Sequence, residues 1–441
     1  MFREWTSEID ASFARAVRDR LAEIGVLGGE RRLSPDQPWT AAAPVEQRLL
    51  EAVDSLLALD GGVARVLVEA EGTEDPRRAF AVALVLGCAP GEAFVEAAVG
   101  MLRQARAEVR IAAADALALA RSPAVGPALA RFVDEAEASP GACAAALEAL
   151  AARRQASFAS SVVLLGHPDA GVVFAAARCL GFVPERKAAA TVLRRVLVDD
   201  PDDALAVVAA EGLLALADPA GLAFVRAELD AESAAPSLAD EVRVAYLRLL
   251  GLGGEAGDLD LFFRSLESSP RDATAVGWFG HPDLVEWLLG SLDAANEARR
   301  SGSRASSPGL LSPVAFEIAA ARALFRIIGA PDGGGRAPEG MTVDATAWRA
   351  AWAKCRGRMA GGQKHRFGRL YAPEATLEEL GGDAAVGVRA DAALELAIVL
   401  KGGMRVETGD WVARQRGQLG AARGKMEGGY PVGAFLGRRE R

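Results

Sequence analysis

Val109-Arg110-Ile111-Ala112-Ala113-Ala114-Asp115-Ala116-Leu117 is the stretch on which the reading of this chain turns. Alanine has the best intrinsic helix propensity, and nothing in the stretch breaks a helix. Glu108 just before it puts a carboxylate at the positive end of the helix dipole. The same grammar recurs on both sides: a polar or Pro-containing turn, an Ala-rich run, then Leu followed by Gly or Ala. Asp75-Pro76 leads into Ala79 to Gly87, and Ser139-Pro140-Gly141 into Ala142 to Ala151. His167-Pro168-Asp169 leads into Val172 to Gly181, and Asp200-Pro201-Asp202-Asp203 into Ala204 to Ala215. Asp240-Glu241-Val242-Arg243 opens Val244 to Gly251, and Arg271-Asp272 opens Ala273 to Gly280. The closing residues Leu86, Leu117, Leu150, Leu180, Leu214, Leu250 and Phe279 are 31, 33, 30, 34, 36 and 29 residues apart.

Such a period is the signature of a repeat architecture. Between the markers lie second helices with apolar residues at helical spacing, as in Val192, Leu193, Val196 and Leu197. No strand alternation runs six residues or more. Pro is expected at first helical positions, and the Leu-Gly ends are expected to supply left-handed C-caps. The repeat resembles the HEAT class, with Val109 to Leu117 the closest single match. The expected fold is all-α: a HEAT-like α-solenoid, a right-handed superhelix of antiparallel helix pairs, with a helical N-terminal cap and a helical C-terminal region. In such an array each repeat contacts only its neighbours.

Outward from the repeats, residues 1–74 read as the cap, with helices over Phe13 to Ile24 and Val45 to Leu59. The array occupies 75–330. It carries a basic loop at 297–312, read as flexible, and ends near a Gly-rich stretch at 331–340. The rhythm then changes, and 341–423 form the C-terminal region. The tail 424–441 reads as disordered.

Bulk composition narrows the function. A chain of 441 residues exceeds the ~250–300 residues of one compact core, so it divides or elongates. Its net charge of −9 disfavours nucleic acid, whose binding rests on phosphate neutralisation. Lys appears only at Lys187, Lys354, Lys364, Lys401 and Lys425. Cys88, Cys143, Cys179 and Cys355 are far apart and form no CxxC pair, so they read as buried small residues in a reducing compartment. Neither a secretory signal nor a spanning segment is legible, which leaves the cytoplasm as the expected location.

Each candidate site meets a plainer alternative. His167 and His281 share His-Pro-Asp, and a repeated helix-opening turn explains them better than a ligand pair. His365 sits in Lys364-His365-Arg366, read as a solvated basic turn. The run Asp199 to Asp203 lacks the Gly and spacing of a calcium loop and suits a helix N-terminus. No nucleophile elbow or phosphate-cradling loop appears. No catalytic residue, cofactor site or metal site is therefore expected. The densest aromatic region holds Trp348, Trp352, Phe367, Tyr371 and Trp411 beside Arg366. It is the candidate partner-binding platform, because aromatics and Arg dominate interface hot spots; a packed C-terminal core is the other reading.

His365-Arg366-Phe367-Gly368-Arg369, Leu377 to Gly382, Val388 to Ala397 and Trp411 to Leu419 resemble the end of an uncharacterised proteobacterial HEAT-repeat family. Val45 to Glu51 and Arg78 to Ala81 fit the same pattern. Genes of that family often lie in type VI secretion clusters. The resemblance implies a non-catalytic protein–protein interaction scaffold or adaptor, an accessory factor or cargo chaperone of such a system. The implied partner is a protein, a secretion component or effector. The rival expectation is a HEAT-array enzyme, such as a bilin lyase-isomerase or an alkyl-base DNA glycosylase.

Overall fold

The structure, a computed structural model, describes residues 2–104, 106–135, 138–199, 202–234, 238–268, 273–300, 313–331, 343–359, 361–382, 385–426 and 432–435. Among these residues there are twenty-two α-helices and one two-stranded sheet. The chain is an all-α stack of helical hairpins of the solenoid type. It divides into two compact units. One comprises Met1–Leu193, Leu380–Ala390 and Val406–Ala421; the other comprises Arg194–Glu379, Asp391–Arg405 and Ala422–Arg441.

The first unit holds α1 (Phe2–Glu30), α2 (Ala42–Leu57), α3 (Gly62–Ala70), α4 (Pro76–Cys88), α5 (Glu92–Gly100), α6 (Ala107–Leu119), α7 (Val125–Asp134), α8 (Pro140–Arg153), α9 (Phe158–Leu164) and α10 (Ala170–Leu180). Within it α1, α4, α6, α8 and α10 pack in succession, each on the next, and α3, α5 and α7 form a second row. The segment 1–74 thus joins the stacking directly through α1 and α3. The unit boundary falls within α11 (Arg186–Asp199). The second unit repeats the plan with α12 (Asp203–Ala215), α13 (Pro219–Ala234), α14 (Asp240–Gly253), α15 (Leu259–Ser268), α16 (Ala273–Phe279), α17 (Leu284–Arg300), α18 (Pro313–Ile328) and α19 (Ala345–Cys355). There α12, α14, α16 and α18 make one row, α13 packs on α15, and α17 packs on α19. Strands β1 (His365–Arg366) and β2 (Arg369–Leu370) follow. The helices α20 (Pro373–Gly381), α21 (Val386–Val399) and α22 (Val412–Lys425) each contribute residues to both units. The region 341–423 is therefore not a separate body.

Sequence explains where the helices start. Asp75 caps α4, its carboxylate accepting from the backbone N–H groups of Arg77 and Arg78, with Pro76 at the first helical position. Ser139 and Pro140 do the same for α8. Asp169 caps α10 and Asp202 caps α12. Each cap satisfies donors that the first turn leaves unpaired. In His167-Pro168-Asp169 the Pro precedes the cap rather than opening the helix. The helix N-terminus expected of Asp199 to Asp203 is there at Asp202, which caps α12, while Asp199 pairs with Arg195. Asp200 and Pro201 lie outside the described residues, as does the Arg271-Asp272 turn.

Rows are tied together at the repeat period. Arg103 pairs with Glu135, Arg131 with Glu96, Arg178 with Glu148, Arg264 with Asp230, and Arg226 with Asp258. These partners are 30 to 35 residues apart, one repeat. Exposed pairs contribute only ~0–1 kcal/mol each, so they favour register more than stability.

Close packing supplies the rest. Ala113, Ala116, Ala176 and Ala210 are fully buried. The Leu-Gly ends correct the expectation made of them. Gly87 and Gly251 lie inside α4 and α14, and only Gly280 closes its run in the left-handed region, at φ 71°. A Cβ at Gly251 would lie 2.5 Å from the carbonyl oxygen of Ala275 on α16. That glycine is there so that two helices can meet. The loop expected from 297 begins later, because α17 continues to Arg300; residues 301–312 and 332–340 lie outside the described residues. The tail expected to be disordered from 424 holds the end of α22, and Gly433 and Phe435 are buried. No helix among the described residues is long and apolar enough to cross a membrane.

Gly251→Val is expected to lower stability by ~1–3 kcal/mol or more, the cost of overpacking a tight contact. Gly290→Ala on α17, where an added Cβ meets nothing within 4 Å, is expected to be neutral or mildly stabilising. Urea unfolding of the two variants checks the contrast.

Candidate functional site

The one described sheet is a hairpin, and the polar core of the second unit is built on it. β1 and β2 pair antiparallel, His365 opposite Leu370 and Arg366 opposite Arg369. Phe367 and Gly368 between them have φ of 53° and 75°. Positive φ at both central residues makes a type I′ turn, whose twist suits two-residue hairpins. A phenylalanine held there needs outside support, and α18 provides it. The N–H groups of Phe367 and Gly368 donate to the carbonyls of Arg326 and Ile327, at 2.7 and 2.9 Å. Those carbonyls end α18 and have no partner within their own helix. The N–H of His365 likewise donates to the carbonyl of Gly280, just beyond α16, at 2.8 Å. A Cβ at Gly280 would sit 2.5 Å from the His365 carbonyl oxygen, so the approach requires glycine.

Glu395, on α21, is the centre of the side-chain arrangement and is wholly buried. Its Oε1 accepts from Lys364 Nζ and Arg366 Nη2, both at 2.7 Å, and its Oε2 accepts from Thr376 Oγ1 at 2.7 Å. Arg366 reaches with Nη1 to Glu379 Oε2 at 2.8 Å, and Arg326 donates to the other oxygen of Glu379. The Tyr371 hydroxyl lies 2.9 Å from Thr376 Oγ1. The indole of Trp278 is the floor, with the Arg326 guanidinium 3.7 Å and that of Arg366 4.9 Å from the ring centroid. Cations over a ring face gain from its quadrupole. Burial opposes charge on Glu395, but Arg366 and Lys364 beside it hold its carboxyl below the usual range. Burial pushes the Lys364 ammonium down to about 8, against the pull of Glu395. The two directions are compatible: the carboxylate sees two cations, whereas the lysine shares its anion with an arginine. Among the described residues Trp278 Nε1 has no hydrogen-bond partner.

Beside the cluster lies an aromatic slot. Phe279 and His281 have ring centroids 5.0 and 5.9 Å from that of Phe435, which is buried. His281 Nδ1 accepts from the N–H of Asp283 at 3.2 Å, and His167 Nδ1 accepts likewise from Asp169 at 3.0 Å. The shared His-Pro-Asp is a helix-opening turn at both places. Burial lowers the pKa of His281 and of His365. The expectation of a solvated His365 is corrected: it lies in β1 and is buried.

The candidate platform is also corrected. Trp348, Arg366, Tyr371 and Trp411 are buried, and Trp352 and Phe367 are half-buried. Arg366 and Tyr371 belong to the cluster above. Trp352 donates to Glu286 Oε1 at 2.6 Å, and Phe367 packs on Phe325. Trp411 serves the first unit, where its Nε1 donates to the carbonyl of Leu119 at 2.8 Å and Arg31 lies over its ring. The indole N–H groups of Trp352 and Trp411 and the Tyr371 hydroxyl each have a partner, which allows these rings to pack without an unsatisfied polar group. The sequence reading missed Trp278, Arg326, Glu379 and Glu395. A signal existed for two of them: Glu395 and Arg326 each interrupt an apolar helical run, Ala392 to Ala397 and Leu324 to Ile328.

Two cavities are lined in large part by charged residues that already pair with one another. In the first unit about 260 Å³ is lined by Arg153, Asp410, Arg414 and Gln418 among others. There Arg153 donates to the carbonyls of Leu117 and Ala120, and Arg414 pairs with Asp410. In the second about 420 Å³ is lined in part by Arg226, Asp230, Asp258 and Arg264, which pair with one another. No group of three or more His, Cys, Asp or Glu suited to a metal occurs among the described residues. No protein-family model matches the chain, and no curated protein matches it. The solved structures similar to it include the X-ray structure of YibA from Escherichia coli, with 16% identity and a TM-score of 0.37, over 54% of this chain and 88% of that one.

Glu395→Gln leaves buried Lys364 without its anion and Arg366 with Glu379 alone, and is expected to cost ~3–5 kcal/mol; Arg264→Ala, at an exposed pair, is expected to cost ~0–1 kcal/mol. Chemical denaturation of both variants measures the difference. The two histidines set a pH dependence. Their pKa values lie lower in the folded chain than the 6.5 of a free imidazole. The unfolded chain therefore binds protons first, and stability falls as pH drops below about 6.5 until the folded pKa values are passed. Melting temperatures between pH 7.5 and 5 should show the fall, and His365→Asn should reduce its slope.

Proposed function

We propose that this chain is a non-catalytic protein-interaction module, an adaptor or accessory factor of the kind the type VI secretion resemblance suggests. The observation that carries the reading is the state of Glu395. It is the anion at the centre of the cluster, yet Lys364, Arg366 and Thr376 occupy both its oxygens. A general acid or base needs a face toward substrate. Here the buried polar groups hold a hairpin against helix ends instead. Stacked helical repeats offer extended surfaces, and binding to another protein is what such surfaces do well.

The test is affinity purification of the tagged full chain from its native host, followed by gel filtration of the purified pair. A single protein is expected to be enriched and to co-migrate stoichiometrically, with secretion components the first identities to check. Recovery of nothing above background, from cells where the chain is folded and abundant, argues against the reading.

A further inference from the structure

We infer that the aromatic slot beside the buried cluster is a recognition site for a short peptide that turns at a glycine and carries an aromatic ring two residues on, and that residues 432–435 occupy it from within the same chain. The inference rests on the interaction reading and names the chemistry of the partner segment. Three observations define what fits. Gly433 alone makes both main-chain bonds to the hairpin segment: its carbonyl accepts from the N–H of Lys364 at 2.9 Å, and its N–H donates to the carbonyl of Tyr371 at 2.7 Å. The glycine thus bridges the open end of the hairpin, where the Tyr371 N–H already donates to the Lys364 carbonyl, and the bonds are independent of side chain. Gly433 has a φ of 76°, and a Cβ there would lie 3.1 Å from Leu370 Cδ2, so the position selects glycine twice over. Two residues on, Phe435 is buried against Phe279 and His281. Ala434 between them is half-buried, while Val432 is exposed.

The anchor is one ring and one residue's backbone, a small footing beside the ion cluster that holds the hairpin itself. The side chains of Glu395, Glu379, Lys364 and Arg366 pair with one another without residues 432–435. The slot is thus formed by elements fixed independently of its occupant, and a partner's segment with the same pattern competes for it.

The probe is a synthetic peptide of residues 430–437, Tyr430-Pro431-Val432-Gly433-Ala434-Phe435-Leu436-Gly437, offered to the full chain carrying Phe435→Ala. Labelled peptide should bind the variant at least tenfold more tightly than the unmodified chain and should raise the variant's melting temperature alone. A peptide with Ala in place of its Phe should do neither. Absence of binding to a variant with unmodified-chain helicity overturns the inference, as does equal binding to both chains. If Phe435→Ala does not fold, Gly433→Ala takes its place, since it strains the occupant and leaves the slot aromatics intact. The same outcomes then decide. No natural partner enters the measurement, so a failure here removes the slot and leaves the co-purification test to judge the interaction reading.

Discussion

Helices in each row can approach one another only where the facing side chains are small. Ala113, Ala116, Ala176 and Ala210 are sealed from solvent, and at Gly251 even a methyl group would press on the backbone of α16. At that spacing dispersion contacts are dense, and a misplaced methylene is felt because the interior is packed like a crystal. The Asp and Ser caps and the ion pairs one repeat apart then act on helices whose positions are already constrained. Caps satisfy the helix starts, and the pairs favour one register of each helix on the next.

Helix ends pose the opposite problem, and the second unit answers it with a hairpin. The last carbonyls of α18 and the carbonyl of Gly280 accept from hairpin N–H groups. The negative ends of these helices also attract cations, and Arg326, Lys364 and Arg366 cluster there. Burying three cations demands anions and a polarisable surface. Glu379, Glu395, Trp278 and Tyr371 supply them. Once such a cluster is complete, losing one member exposes the others to an unfavourable interior. This accounts for the interior placement of residues whose types, read in isolation, suggested a binding surface.

The helical rhythm and the caps were legible residue by residue. Asp75-Pro76 and Ser139-Pro140 announce helix starts by local chemistry alone, and the spacing of Leu86 through Phe279 announces a stack. The aromatic region was legible only as a concentration of large side chains. Whether Trp348 or Tyr371 faces water depends on which helices return to cover it, and no local pattern carries that. Glu395 and Arg326 left a faint mark as single charges in apolar runs, but neither could be paired with its partner from spacing.

What the sequence by itself determined is the class of element, its period and its starting points, because propensity, capping and amphipathic spacing act over a few residues. What only the tertiary structure decided is the set of contacts made across long separations. Phe367 in its left-handed turn against α18, Glu395 between Lys364 and Arg366, and Gly433 clamped between Lys364 and Tyr371 are of this kind. Such contacts form only after the helices have packed, and their energy comes from desolvation and charge pairing in a space the stack creates.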